Sequence, residues 1–203
     1  MSQAELAAAL CEAGRRMDAR GWVPGGGGNF SARLGPNRYL LTASGRHKGR
    51  LRAEQDFLVV DAQGQPEDAS RRPSAETLLH CERLNALPEV ACVLHGHSPH
   101  TTVLSRSESG SSIALDGFEM LKGLGGIHTH DHRVDIPLFD NDQDIARLAS
   151  VVAQAHAQSP ILYGYVIRGH GLYAWGRSVE EAYNRLESLE FLLHCALLER
   201  NGA

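Results

Sequence analysis

The sequence has few of the features that mark nucleic-acid-binding or membrane proteins. Its 20 lysine and arginine residues are outnumbered by 24 aspartate and glutamate residues, which gives a net charge of −4. Without a basic excess, broad attraction to nucleic acid or to an anionic membrane is not expected. No run approaches the 18 apolar residues of a membrane span, and charges interrupt the N-terminal stretch, so we expect neither a span nor a signal peptide. The expected partner is a small molecule.

Cysteine is also scarce, and no two cysteines form a CxxC pair. Cys11, Cys81, Cys92 and Cys195 are scattered along the chain. This usage is typical of reduced, packed thiols, and it predicts a cytoplasmic protein. The sequence also lacks an internal repeat, a low-complexity tract and a linker. With 203 residues and 42% hydrophobic residues, we expect residues 1–203 to form a single domain.

Hydrophobic periodicity and capping signals predict an α/β fold. The expected architecture is one mixed, largely antiparallel central sheet covered by helices. The residue before Pro99 is Ser98, which indicates that a helix begins where the preceding strand ends. Helices are predicted over residues 4–20, 74–87, 142–157 and 178 to about 200, and strands over residues 39–41, 57–60, 90–95, 134–138, 161–167 and 171–175.

Three histidines have a spacing that suits a metal ion. His95 and His97, in "VLHGHSPH", are two residues apart in a predicted strand, so both rings can point to the same side. His170 lies between two glycines at a predicted strand turn, where its ring would be accessible. Neutral imidazoles suit zinc, and catalytic zinc sites commonly use three protein ligands. The alternative is that the HxH pair is two ordinary histidines of a half-exposed strand.

Three further segments offer donors for an anion. "PGGGGNFS" could cradle a phosphate with backbone N–H groups and the Asn29 amide, although glycine runs are commonly simple turns. "TASG" adds Ser44 and Gly45, and "RPSAE" adds Ser74 at the start of a predicted helix, whose N-terminus favours an anion. Glu76 in that first turn has a simpler interpretation, since a carboxylate there stabilises the helix dipole.

Two other polar clusters have simpler interpretations. "HTHDH", with His128, His130 and His132, lies in a segment without strand alternation and is predicted to be a solvated loop, with a rival metal site as the alternative. "DNDQD" lacks the glycine and glutamate of a calcium-binding EF-hand loop, so it is predicted to cap a helix.

Five of these stretches, "GGNFSAR", "TASGRHKGRL", "RPSAETLLH", "VLHGHS" and "GHGLYAWG", follow the order and approximate spacing of the class II aldolase/adducin family, which the sequence resembles over nearly its whole length. The resemblance implies a sugar-phosphate substrate and homotetramers with active sites between neighbouring subunits. It implies one zinc per subunit on His95, His97 and His170, and a general acid/base at Glu119 in "FEMLKG". The implied phosphate contacts come from Gly28, Asn29, Ser44, Gly45 and Ser74.

Within the family, "GFEMLKGLG" and "DIPLFDNDQDIARLA" resemble a dehydratase branch. Glu76 matches the catalytic glutamate of the family's aldolases, whereas some dehydratases are similar but carry cysteine there. The aldolases also continue into a tail with a catalytic tyrosine, and this sequence has no tyrosine after Tyr183. The favoured prediction is therefore a dehydratase, with a zinc aldolase and a non-catalytic adducin-like scaffold as alternatives.

The expected substrate of such a dehydratase is a ketose 1-phosphate with hydroxyls on C3 and C4. Loss of the C3 proton gives an enediolate, whose charge a metal can stabilise, and loss of the C4 hydroxyl then leads to a 2,3-diketone. Glu119 is the first candidate for the proton transfers and Glu76 is a possible second carboxylate.

Overall fold

The structure, a computed structural model, describes residues 1–202, which form an α/β fold as predicted. Five helices cover a sheet of eight strands. The helices are α1 (Gln3–Ala19), α2 (Thr77–Ala86), α3 (Pro99–Ser107), α4 (Ile145–Gln158) and α5 (Val179–Gly202). The strands are β1 (Asn29–Gly35), β2 (Arg38–Thr42), β3 (Phe57–Asp61), β4 (Cys92–Gly96), β5 (Ser112–Asp116), β6 (Arg133–Phe139), β7 (Gly164–Ile167) and β8 (Gly171–Gly176).

The sheet is mixed and largely antiparallel, which confirms the predicted class. Its strand order is β3-β2-β1-β4-β8-β7-β6-β5. The pair β6 and β7 is parallel and is joined at two positions, Leu138 to Val166 and Phe139 to Ile167. The other neighbouring strands are antiparallel. This order places β4, the strand of the HxH pair, near the middle of the sheet.

Two hydrophobic clusters cover opposite faces of the sheet. Along β4, Cys92 and Leu94 belong to the cluster that includes residues of α1 and α5, whereas Val93 belongs to the cluster that includes residues of α2 and α4. Because successive strand residues point to opposite faces, His95 shares the face of Val93. The candidate ligand therefore points toward the layer of α2 and α4.

Capping residues set several helix boundaries as predicted. Ser98 caps α3, since its Oγ accepts a hydrogen bond from the N–H of Thr101 at 3.2 Å, and Pro99 follows it. Asp144 caps α4 by accepting from the N–H of Arg147 at 3.1 Å, which confirms the capping interpretation of "DNDQD". These caps satisfy backbone donors that have no partner inside the helix.

The strand predicted over residues 161–167 begins at residue 164, the helix predicted over residues 142–157 begins at residue 145, and two further regions also differ from the predictions. Helix α2 begins at Thr77 rather than at residue 74, because Pro73 forms a β-bridge with Ala43 and holds the preceding segment extended. Between residues 108 and 132, where no regular element is predicted, the chain forms β5 and a 3-10 helix, Glu119–Leu124. Leu121 and Leu124 of that helix are buried in the core, which anchors the short element through tertiary packing.

Within residues 1–202, we find no helix that combines the length and the apolar character needed to cross a membrane. The four cysteines are free, and Cys11, Cys81 and Cys92 are buried.

Candidate active site

The three histidines predicted to bind a metal lie together, and Glu76 joins them. Ligand atoms of Glu76, His95, His97 and His170 all lie within 4.8 Å of one another. His95 Nε2 lies 2.8 Å from His97 Nε2 and 3.4 Å from His170 Nε2. The Glu76 carboxylate approaches His95 Nε2 at 3.3 Å and His170 Nε2 at 2.9 Å. Three imidazole nitrogens and a carboxylate at these separations form a donor set that could hold a divalent metal ion.

The hydrogen bond at the far side of His95 supports this interpretation. His95 Nδ1 lies 2.9 Å from the carbonyl oxygen of Leu172, which can only accept. In the neutral ring, Nδ1 therefore carries the proton and Nε2 presents a lone pair to the cluster. Metal-binding histidines are commonly oriented by this kind of contact. The donor set thus fits a metal in ring orientation as well as in position.

Burial keeps two of the imidazoles neutral. Burial and the neighbouring His170 lower the pKa of His97 to about 4. The pKa of His95 also falls well below its ordinary value because the ring is fully buried. Neutral imidazoles are the form that binds a metal, so both rings are ready at neutral pH without losing a proton.

The strand register delivers the surroundings of His95. On one side of β4, His95 pairs with Asn29 of β1, and on the other side it pairs with Tyr173 of β8. Paired residues point to the same face, so the three side chains form one row across three strands. The rings of His95 and Tyr173 stack with centroids 4.0 Å apart. This packing restricts the orientation of His95.

Glu76 lies over this row, at the residue before α2. Its Oε2 accepts hydrogen bonds from Asn29 Nδ2 at 2.6 Å and from the Tyr173 hydroxyl at 2.8 Å. Burial alone would raise the pKa of Glu76, but hydrogen bonds from the His170 ring and the Asn29 amide outweigh it and lower that pKa. The carboxylate is therefore ionised at neutral pH, and it acts as an acceptor beside the histidines rather than as a helix-dipole partner alone.

Close backbone packing brings the elements of the site together. Gly171 lies so near β4 that a Cβ atom there would be 2.1 Å from the Gly96 carbonyl oxygen. Gly28 has a positive φ of 77°, and a Cβ atom there would be 2.5 Å from the His95 carbonyl oxygen. Side chains at these two positions would push β8 and the glycine-rich loop away from β4, so glycine is required on steric grounds.

A pocket opens beside the cluster. It has a volume of about 540 Å³ and is lined by Glu76, His97, His170, Thr102 and the Asn141–Gln143 segment, among others. Volumes in this range are ordinary for a site that takes a small molecule. The candidate ligands thus lie at the wall of a cavity that a substrate could enter.

The residues predicted to bind phosphate lie on neighbouring segments. Ser44 and Gly45 follow the bridge between Ala43 and Pro73, and the Ser44 N–H donates to the Arg72 carbonyl oxygen at 3.0 Å. The Ser74 hydroxyl accepts from the Glu76 N–H at 3.3 Å. Ser44 and Gly45 are exposed, and Ser74 is half-buried.

Asn29 contacts two side chains of the α2 region. Its buried amide is engaged by Glu76 on one side and by His80 on the other. Gly28, which precedes Asn29, packs closely against the backbone of His95.

A buried ammonium group joins the two loops. Lys48 Nζ donates to the carbonyl oxygens of Gly26 and Arg46, each at 2.6 Å. Burial lowers the pKa of Lys48 to about 8, so the group is largely protonated at neutral pH. The glycine-rich loop and the loop after β2 therefore share one positive charge.

Glu119 lies outside the cluster in the single chain. Its carboxylate pairs with Lys122 and is 3.8 Å from His130, and 69% of its side chain is exposed. These contacts with Lys122, followed by the nearby His130, lower its pKa. His128 and His132 are exposed as well, so the "HTHDH" segment is a solvent-facing loop.

Among the residues that contact Glu76 and Asn29, Tyr173 and His80 lie outside the sequence predictions. Tyr173 reaches Glu76 because β8 pairs with β4 in a particular register, and His80 reaches Asn29 because it lies one helical turn after Glu76. The i, i+4 spacing of Glu76 and His80 is a signal that could have been noticed. The register of β8 against β4 is a long-range property without such a local signal.

The chain is similar to known proteins over most of its length. The profile described as "Class II Aldolase and Adducin N-terminal domain" matches residues 8–197. The chain is 52% identical over 192 residues to a methylthioribulose-1-phosphate dehydratase of Acidiphilium cryptum, covering 95% of this chain and 90% of the relative. It is 54% identical over 194 residues to the Gluconacetobacter diazotrophicus protein of the same name, covering 96% and 93%.

A solved structure extends the comparison to the fold. The L-fuculose-1-phosphate aldolase of Thermus thermophilus is similar to this chain with a TM-score of 0.78 and 27% identity, and the match covers 99% of each chain.

Proposed function

The chain belongs to the class II aldolase and adducin family, and from that premise we propose that it dehydrates 5-methylthioribulose 1-phosphate to 2,3-diketo-5-methylthiopentyl 1-phosphate in methionine salvage. One observation carries the proposal. The cluster of Glu76 and three histidines lies in a chain that is 52% and 54% identical, over nearly its whole length, to two methylthioribulose-1-phosphate dehydratases. The enzyme is a carbon–oxygen lyase that acts in the cytoplasm.

The proposed metal is one Zn²⁺ per subunit, held by His95, His97 and His170. When bound there, the ion supplies positive charge that polarises the C2 carbonyl and favours loss of the neighbouring proton. The neutral imidazoles and the orientation of His95 support this assignment. Glu76 lies close enough to serve as a fourth ligand or as a second carboxylate beside the substrate.

The residues of the chain move the protons. A carboxylate takes the C3 proton, and electrons from the enediolate then re-form the C2 carbonyl as the C3–C4 double bond forms and the C4–O bond breaks. The departing hydroxide takes a proton and leaves as water. The remaining C3 enol becomes a ketone when C4 gains a proton, so the net change is the loss of one water. We assign these transfers first to Glu119, with Glu76 as the second carboxylate.

The phosphate group is proposed to bind at Gly28, Asn29, Ser44, Gly45 and Ser74. Backbone N–H groups and hydroxyls suit a dianion. The buried ammonium of Lys48 between the two loops supports the same assignment, because its direct hydrogen-bond partners are two neutral carbonyl oxygens and it adds positive charge beside both loops.

The proposed assembly is a homotetramer with active sites between neighbouring subunits. The exposure of Glu119 supports it, since a residue on the outer surface of one chain can reach the cluster of a neighbour. A heterologous interface repeated around a closed ring would give every subunit one complete site.

An aldolase is the second candidate. Glu76 has the position of a catalytic glutamate, and the Thermus thermophilus relative is an aldolase. Both reactions begin with the enediolate, and an aldolase then breaks the C3–C4 bond instead of the C4–O bond. The intact donor set speaks against an adducin-like scaffold without catalysis.

Product analysis tests the proposal. The zinc-loaded protein is incubated with 5-methylthioribulose 1-phosphate, and we expect the absorbance of the diketone to appear without carbon–carbon cleavage. The protein treated with a chelator serves as the control and should be inactive until zinc is restored. Release of a two- or three-carbon fragment would instead make the enzyme an aldolase.

Metal analysis tests the ligand assignment. We expect about one zinc per wild-type chain and a loss of most of it in His97→Ala, because two remaining imidazoles hold zinc less tightly than three. A matched control is His130→Ala in the exposed loop, which should keep full metal. Full occupancy in His97→Ala together with loss in His130→Ala would move the site to the loop.

A further inference from the structure

A chain of buried polar groups leads from the sheet to the Glu76 carboxylate. The hydroxyl of Ser31 lies 2.7 Å from His80 Nδ1. His80 Nε2 contacts Asn29 Oδ1, and Asn29 Nδ2 lies 2.6 Å from Glu76 Oε2. Ser31 and His80 are both completely buried. Such a chain of side-chain contacts in a core is expensive unless every member is satisfied.

The chemistry of each group fixes the direction of every hydrogen bond in this chain. An ionised carboxylate can only accept, so the atom of Asn29 facing Glu76 is the amide nitrogen and the atom facing His80 is the carbonyl oxygen. That oxygen also only accepts, so His80 Nε2 must carry a proton. A neutral His80 then has a lone pair on Nδ1, which accepts the Ser31 hydroxyl proton.

Burial is consistent with one fixed tautomer. His80 is enclosed on all sides, and burial lowers its pKa to about 4, so the ring is neutral at neutral pH. A doubly protonated ring would present a second N–H to Ser31. The hydroxyl could accept that proton, but it would leave a charge in the core without a neighbouring anion in direct contact.

We propose that His80 is a positioning residue for the reaction, acting through Asn29 to hold the Glu76 carboxylate in its place among the histidines. The Nε2–H of His80 prevents the Asn29 amide from flipping, because a flip would bring two donors face to face. Asn29 then holds Glu76 Oε2 together with the Tyr173 hydroxyl, which leaves Oε1 directed at His170. The activity part of this inference rests on the proposed function, whereas the tautomer does not.

A histidine that merely fills the core is the plain alternative. Such a residue would tolerate any neutral side chain of similar size, and its loss would change stability without changing the chemistry of folded molecules. The contact with Asn29 separates the two roles, because only the positioning role requires an N–H donor at the Nε2 position.

Nuclear magnetic resonance reads the tautomer directly. Long-range ¹H–¹⁵N correlation of the zinc-loaded, full-length protein distinguishes protonated from unprotonated ring nitrogens, and the His80→Gln spectrum identifies the His80 signals. We expect Nε2 protonated and Nδ1 unprotonated at neutral pH. A proton on Nδ1 alone, or rapid averaging between the two nitrogens, would overturn the proposal whatever the enzyme's substrate is.

Kinetics tests the role. His80→Gln keeps an N–H donor near the Nε2 position, whereas His80→Leu removes it at similar size. For folded, zinc-saturated protein we expect His80→Leu to lower kcat roughly 10- to 100-fold, the usual cost of losing a group that supports a metal-site residue. His80→Gln should recover most of that loss, and KM should change little in either variant.

Controls separate positioning from packing. His156→Gln changes a histidine outside the site, which accepts from the Ile161 N–H at 3.1 Å, and it should leave kcat unchanged. Equal kcat losses in His80→Gln and His80→Leu, or losses that track only the fraction of folded protein, would contradict the positioning role. If the wild type fails to dehydrate the proposed substrate, the tautomer spectrum still decides the direction of the hydrogen bonds from Ser31 through His80 and Asn29 to Glu76.

Discussion

The two glutamates of the proposed mechanism, Glu76 and Glu119, lie in very different surroundings. Glu76 is fixed among three imidazoles, an amide and a tyrosine hydroxyl. Glu119 is exposed and is paired with Lys122. Residues in such different surroundings should respond differently to the same substitution, even though both are glutamates.

Glutamine substitution should therefore separate their roles. We expect Glu119→Gln to keep the fold and full zinc but to lose at least ~10²-fold in kcat, as for the loss of a general acid or base. Glu76→Gln, in contrast, should weaken zinc retention, because a neutral amide replaces the carboxylate in the cluster. Turnover and bound zinc are measured for both variants. Near-normal turnover in Glu119→Gln, with inactive Glu76→Gln and fragment release, would favour the aldolase.

Ser74 tests the phosphate assignment. Ser74→Asp places a carboxylate where a donor is proposed, and repulsion of the dianion should raise KM about tenfold or more. Inorganic phosphate should inhibit the wild type competitively and the variant more weakly. Ser70→Asp, in an exposed nearby segment, is the control and should resemble the wild type. Unchanged KM and phosphate inhibition in Ser74→Asp would remove this residue from the phosphate site.

Among the helices, α5 supports the start of α3 through one buried carboxyl group. Glu190 is completely buried, and its Oε2 accepts from the hydroxyls of Ser98 and Thr101. Burial raises the pKa of Glu190 to about 7 although both hydroxyls lower it. Ser98 directly follows His97, so this contact joins the position of α3 to the site.

This carboxyl group should make stability depend on pH. The folded pKa lies above the ordinary value of 4.5, so its favourable contribution is complete below about pH 4.5 and is lost as the pH rises through about 7. The change amounts to at most about 3 kcal/mol at 1.36 kcal/mol per pH unit. Relative to the wild type, Glu190→Gln should thus gain thermal stability at pH 8 compared with pH 5.5. Glu199→Gln, at an exposed position of α5, is the control; equal pH dependence of Glu190→Gln and wild type would contradict the expectation.

The elements also show what the sequence can predict. Local signals such as Ser98–Pro99 and Asp144 located helix starts, because caps act over a few residues. Strand β5 escaped prediction, since a five-residue strand at the sheet edge is defined mainly by its pairing with β6. The start of α2 was predicted three residues too early, because the bridge between Pro73 and Ala43 is a long-range contact.

Within the site, sequence spacing was sufficient to predict that the histidines lie together, but it did not predict the side chains that contact them. His95 and His97 could be placed on one side because strand geometry has a period of two. The contact of Tyr173 with Glu76 depends on which strands pair and in which register, and a single sequence does not contain that information locally.

At the scale of the whole molecule, the proposed tetramer predicts complementation between inactive variants. In the proposed site, His97→Ala lacks a metal ligand and Glu119→Gln lacks the acid/base group, so each variant alone should be inactive. If Glu119 acts on a neighbour's metal, subunits of the two variants assembled in equal amounts form intact sites in roughly one case in four. We expect roughly a quarter of wild-type activity from the co-expressed mixture.

A second mixture controls this experiment. His97→Ala and His170→Ala both damage the same donor set within one chain, so their mixed assemblies should stay inactive. Absence of activity in the first mixture as well would show that Glu119 serves its own chain or has no catalytic role.

The row formed by Asn29, His95 and Tyr173 has a consequence for the nascent chain during translation. Its members come from β1, β4 and β8, and His170 lies 75 residues after His95. While the ribosome is still adding α4, a growing chain has the HxH pair but neither β8 nor the third imidazole. Under the proposed metal assignment, stable metal binding therefore follows translation of His170 and β8, and a truncated chain that ends before His170 should compete poorly for the cell's metal supply.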